Sequence, residues 1–161
     1  MDAYAVLVRA HESSARRLAF VLCGADGDDA TQDAIVKGWY SLDGYREDAT
    51  FRTWLLRIVA NEARNRRRAS GRRAARELRV AEARVAPAAE SSVVVAEQRA
   101  VVRAAVAALP DKLRDAVACR HLLELSEAET AAVLGVPLGT VKSRLSRGLD
   151  RLRVALEVDG D

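Results

Sequence analysis

The chain has 161 residues, a formal net charge of +3, 50% hydrophobic residues and only 4% aromatics. That length suits one ordinary domain or two small ones, with a core of alanine, valine and leucine. No apolar run approaches the roughly 18 residues of a membrane helix, and Met1-Asp-Ala-Tyr lacks the order of a signal peptide, so a cytoplasmic protein without membrane insertion is expected.

Three prolines and nine glycines leave long stretches at helical spacing, which predicts an all-α fold. Leu7, Leu18 and Leu22 suggest an opening helix or helix pair carrying His11. Residues 24–28 read as a turn, and Asp28 or Asp29 can cap a helix running to about residue 42. Ile35, Trp39 and Leu42, three and four apart, predict its buried face; Asp28, Asp29, Gln32 and Asp33 then place several acceptors on the opposite side. A polar loop over residues 43–50 precedes a helix that starts near Phe51 and buries Trp54, Leu55, Ile58 and Val59. Its far end, residues 61–73, is strongly basic. Residues 70–95 have high helix propensity but weak apolar periodicity, as in a partly helical linker. In the second half Val102, Val106 and Leu109 form one predicted helix face, Pro110 ends that helix, and residues 112–122 make the next.

The most informative run follows. Ser126 can cap a short helix with Glu129 completing a capping box, Gly135 suits the left-handed position after it, and Pro137 suits the start of another helix. Val141 and Leu145 can then face inward, leaving Thr140, Lys142, Ser143, Arg144, Ser146 and Arg147 outward. This is a helix-turn-helix, whose second helix enters the DNA major groove. One acidic patch and two basic ones suggest a protein partner as well as a nucleic acid.

In their order, these segments resemble a bacterial extracytoplasmic-function (ECF) sigma factor of the sigma-70 family. Residues 28–39, 51–61 and 109–153 carry the likeness, including Gly139-Thr-Val-Lys-Ser-Arg144. The resemblance implies two small helical domains joined by a partly helical linker: residues 1–70 for core polymerase binding and the downstream element, 71–95 the linker, and 96–161 for the upstream element. It implies core RNA polymerase and promoter DNA as partners, and an anti-sigma factor as a further partner class.

By the same likeness Asp28, Asp29, Gln32 and Asp33 would contact core polymerase, although alone they also read as a solvated first turn that favours the helix dipole. Tyr45, Arg46, Asp48 and Thr50 would line a pocket for an unstacked base of the downstream (−10) element. Asn61, Arg64, Asn65 and Arg67 would follow the single-stranded non-template strand. Thr140, Lys142, Ser143, Arg144 and Arg147 would meet the double-stranded upstream (−35) element. Ser146 stands where the family often has a bulky side chain, and Glu127-Ala128 replaces a commoner aromatic-acid pair.

Trp39 and Trp54 read as core anchors, Arg151 and Arg153 as solvated tail charges, and Cys23 and Cys119 as buried free thiols. There is no glycine-rich phosphate loop, and neither His11 nor His121 has a partnering constellation, so no enzyme, cofactor or metal is expected. Two other readings stay open: a regulator whose helix-turn-helix is the output of a sensor or dimerisation module, and a protein-only interaction module.

Overall fold

The computed structural model describes residues 2–46, 48–77 and 95–158, and all the regular structure among them is helical. The chain opens with one helix rather than a pair, α1 (Asp2–Cys23). Tyr4, Val8, Ala15, Leu18, Ala19 and Leu22 recur at helical spacing and are buried, whereas Leu7 falls off that stripe and is exposed. Gly24 then turns the chain with a left-handed φ of 62°.

Helix α2 (Gly27–Tyr40) corrects the expected buried face. It buries Gly27, Ala30, Thr31, Ala34 and Gly38. Ile35 and Leu42 are only half-buried, and Trp39 is 39% exposed. The reason is the closeness of α1. A Cβ on Gly38 would stand 2.5 Å from the Tyr4 hydroxyl, and one on Gly27 would stand 2.9 Å from the Phe20 backbone. Only small residues fit that seam, so the large ones flank it. Trp39 packs edge-on against Tyr4 at 5.4 Å, and the Tyr4 hydroxyl donates to the Ile35 carbonyl at 2.6 Å.

Helix α3 (Phe51–Glu77) starts at a cap, with the Thr53 amide donating to Thr50 Oγ1 at 3.2 Å. It buries Phe51, Leu55, Leu56, Val59, Ala60 and Ala63 between α1 and α2, with Trp54 and Ile58 half-buried. It runs on past residue 70 into the predicted linker; residues 78–94, most of that linker, lie outside the described residues.

The second half comprises α4 (Val95–Ala108), α5 (Asp111–Val117), α6 (Glu127–Leu134) and α7 (Leu138–Val158). Leu109 is buried as expected, but Val106 is only partly so and Val102 is exposed. After α5 the chain widens into a π turn over Ala118–Leu122, closed by the Leu123 and Leu125 amides on the Ala118 and Cys119 carbonyls. Glu124, with φ of 55°, redirects the chain toward α6. Helix α7 crosses α5 at Gly148, where a Cβ would meet Val117 Cγ2 at 2.8 Å. The two helical units pack on each other: α3 lies against α6, and α1 touches α5 and the π turn. One apolar core runs from Tyr4 through both units to Leu145.

Candidate nucleic-acid interface

The helix-turn-helix forms as its local signals require. Ser126 Oγ accepts from the Glu129 amide at 3.1 Å while the Glu129 carboxylate accepts from the Ser126 amide at 2.8 Å. Gly135 is left-handed at φ of 65°, and its amide closes α6 on the Ala131 carbonyl. Val141 and Leu145 are buried, which turns Lys142, Ser143, Ser146 and Arg147 to solvent, with Thr140 and Arg144 half-exposed.

These outward groups are partly tied back. Ser143 Oγ donates to the Thr140 carbonyl at 3.0 Å, Arg147 Nε donates to the Ser143 carbonyl at 3.1 Å, and Lys142 pairs loosely with Glu127 at 3.9 Å. Arg144 and Arg147 line an open groove of about 520 Å³ together with Lys112, Asp111, Asp150 and Arg151. Four cations beside one groove can hold phosphate oxygens. Sequence reasoning set Arg151 aside as a solvated tail charge, although it stands one turn beyond Arg147, and passed over Lys112, which comes from α5 and had no local signal.

A second groove, of about 340 Å³, lies at the start of α3 and is lined by Ser41, Arg46, Asp48, Trp54, Arg57 and Asn61 among others. Of the four residues expected in a base pocket, Arg46 and Asp48 reach it. Tyr45 instead donates its hydroxyl to the Ala49 carbonyl at 2.8 Å and packs on Trp54 and Phe51, so it braces the loop. Thr50 is spent on capping α3. Arg57, exposed one turn before Asn61, is a lining cation that sequence reasoning passed over. Ala132 of α6 also borders this groove, so the C-terminal unit reaches its edge.

The basic end of α3 divides its arginines between two faces. Arg66 points to α2 and pairs with Asp33, and more distantly with Asp29 at 3.8 Å; its hydrogen bond to the Asp33 carboxylate raises its pKa further. Along the same seam Lys37 pairs with Glu62 at 2.6 Å, and the Ser70 hydroxyl donates to Asp26 at 2.9 Å. Asp28, Asp29, Gln32 and Asp33 are all exposed, but Asp29 and Asp33 are shared with Arg66 of α3, and Asp28 lies 3.8 Å from Arg16 of α1.

Arg67 points the other way. Its Nη1 and Nη2 donate to the two oxygens of Asp115 at 3.0 and 3.3 Å, Nη1 also to the Leu22 carbonyl at 3.0 Å, and Nε lies 3.1 Å from Asp111 Oδ2. Arg64 donates to the Leu134 carbonyl at 3.3 Å and to Asn61 Oδ1 at 3.1 Å, and its burial lowers its pKa. Asn61 and Asn65 remain exposed. Of the four residues expected to follow a DNA strand, the two cations are therefore turned into the contact between the units.

Cys119 is a buried free thiol whose pKa burial pushes up to about 12, with Asp115 adding to the shift. Cys23 is half-buried and donates to the Ala19 carbonyl at 3.2 Å. Among the described residues no cluster has the makings of a metal site, and no helix is long and apolar enough to cross a membrane.

Comparison with known proteins matches residues 7–73 to the family Sigma-70 region 2 and residues 99–152 to Sigma-70, region 4. The ECF RNA polymerase sigma-E factor of Escherichia coli K12 is 32% identical over 157 residues, covering 91% of this chain and 82% of that protein. The ECF RNA polymerase sigma-E factor of Haemophilus influenzae is 31% identical over 137 residues, covering 79% of this chain and 72% of that one. Among solved structures, the sigma factor RpoE of Bartonella quintana, in complex with the anti-sigma factor NepR, superposes with a TM-score of 0.78 at 25% identity, over 99% of each chain. CnrH, in complex with the cytosolic domain of CnrY, superposes with a TM-score of 0.73 at 28% identity, over 99% of this chain and 90% of that one.

Proposed function

This chain belongs to the ECF sigma factors of the sigma-70 family, which direct RNA polymerase to specific promoters, and we propose that it does so by dividing promoter contacts between its two helical units. Residues 1–70 bind core polymerase and open the downstream element, residues 71–95 connect, and residues 96–161 read the upstream element. The observation that carries this reading is the helix-turn-helix: Ser126, Glu129 and Gly135 set its turn, and buried Val141 and Leu145 aim a basic helix outward. Lys142, Ser143, Arg144 and Arg147 contact the upstream duplex, with Thr140 near a phosphate.

The groove holding Arg46 and Asp48 takes an unstacked base of the downstream element. Arg57 and Asn61, which line the same groove, hold the backbone of that strand. The exposed acidic face of α2, Asp28, Asp29, Gln32 and Asp33, meets the polymerase, with Asp28 released from Arg16 and Asp29 and Asp33 from Arg66. Working with the polymerase places the chain in the cytoplasm, and the likeness to two sigma factors solved with protein partners supports regulation by an anti-sigma factor. The region 2 match over residues 7–73 weighs against a sensor module in the first half.

The test is transcription in vitro with purified core polymerase and a promoter library. Selective initiation is expected, with Arg144→Ala or Arg147→Ala losing about 1–3 kcal/mol on the cognate upstream element and less on a mutated one. No selective initiation with core enzyme would reject the reading.

A further inference from the structure

The groove between α5 and α7 gathers four cations, two of which the proposed function leaves unused. Arg144, Arg147 and Arg151 follow one another at steps of three and four residues, so they form one row along the side of α7. Lys112 meets that row from the start of α5. Gly148 is what lets the two helices come so close. A Cβ there would stand 2.8 Å from Val117 Cγ2 and 3.7 Å from Leu113 Cβ, so the bare backbone of α7 seats α5 and sets Lys112, next to Leu113, beside the row. Lys112 and Arg151 are both exposed. Two carboxylates also border the groove, but each is engaged with another arginine. Asp111 lies 3.1 Å from Arg67 and 3.3 Å from Arg114, and Asp150 lies 3.4 Å from Arg153. Among the described residues Lys112, Arg144 and Arg151 have no carboxylate partner, and Arg147 bonds only to Ser143. Like charges gathered at one groove repel, and a string of anions laid along it relieves that repulsion.

We propose that this groove is a further DNA contact, a track for the sugar-phosphate backbone in which Lys112 and Arg151 hold phosphates that flank the base pairs read by α7. The proposal rests on the upstream-element role given above to α7. Duplex DNA is the occupant because the groove is continuous with that role: Arg144 and Arg147 line it and belong to the DNA-contacting set as well. The N-terminal residues of a recognition helix meet base edges. Arg151 stands one turn past Arg147 on the 21-residue α7, and Lys112 lies on a different helix, so both are placed for the backbone beside the read bases. Phosphate contacts of this kind fix register and supply affinity that carries no sequence information. Lys112 and Arg151 therefore set how tightly the C-terminal unit grips a promoter, whereas the outward residues of α7 set which promoter it grips.

The test uses the full chain assembled with core polymerase, and reads its affinity for duplexes carrying a cognate or a mutated upstream element across a salt series. Lys112→Gln/Arg151→Gln is expected to weaken both duplexes by the same factor. It should also lower the slope of log affinity against log salt by about 1.8, because each lost phosphate contact removes about 0.9. Lys112→Arg/Arg151→Lys keeps the charge and should bind as wild type does. A single uncharged methylphosphonate, stepped along both strands, then finds the contact. At the phosphates beside the groove it weakens the wild type, and the glutamine variant loses nothing more. Arg144→Ala and Arg147→Ala serve as reference. If they lose affinity on the cognate element while the glutamine variant matches wild type in affinity and slope, the groove is no DNA contact and the proposal alone falls. If the reference variants match wild type too, the upstream role of α7 falls with it. A loss by the glutamine variant on the cognate element only would make these residues base readers and overturn the backbone role. An equal loss in the charge-keeping variant would trace the effect to shape rather than charge, and would overturn it as well.

Discussion

Arg66 and Arg67 are neighbours on α3, yet they work in different media. Arg66 faces α2, where Asp33 and Asp29 are 52% and 68% exposed, so water screens the attraction and takes its place when it is broken. Arg67 faces α5, where Asp115 is almost wholly buried and has little water to take the cation's place. One residue of helical rotation changes a weak surface pair into a contact on which the closed arrangement of two units depends.

The largest effect is expected on the inner face. Arg67→Ala leaves Asp115 buried without its cation, and breaking such a pair costs about 3–5 kcal/mol. Chemical denaturation should show it as an early transition in which the units part. A single late transition unchanged from wild type would put Arg67 on the same footing as Arg66.

Cys119 tests the same face by titration. Its folded pKa of about 12 lies above the usual thiol value, so the folded chain keeps a proton that the unfolded chain gives up. Stability from this group is intact below about pH 8.5, the usual thiol value, and falls as pH rises through that value to about 12. Cys119→Ser should flatten that alkaline loss, and native Cys119 should resist alkylation at pH 8 while half-buried Cys23 reacts first.

Between the extremes stands Glu62. It is buried but its partner Lys37 is half in solvent, so Glu62→Ala should cost about 1–2 kcal/mol, between an exposed pair and a buried one. Thermal unfolding reads it. The smallest effect is Arg66→Ala, roughly 0.2–1 kcal/mol and shrinking with added salt. A salt-independent loss as large as that of Arg67 would remove the distinction between the two faces.

What the sequence determined by itself were the features governed by residues within a few positions of one another. The all-helical character, the cap at Ser126 and Glu129, the left-handed Gly135 and the inward pair Val141 and Leu145 each follow from neighbours three or four apart, so the helix-turn-helix was legible before any packing was known. The tertiary structure decided what depends on partners distant in the chain. Large Ile35 and Trp39 looked like the buried face of α2, but the approach of Tyr4 and Phe20 from α1 favours the small Gly27, Ala30, Thr31, Ala34 and Gly38. Tyr45 and Thr50 looked like pocket residues, but bracing the loop and capping α3 claimed them. The two cations among the strand-following residues looked free, but Asp115 and Leu134, 48 and 70 positions away, took them. Local spacing sets which way a side chain leaves its helix, whereas the medium and partner it meets there are set by long-range packing, and these decide its energy.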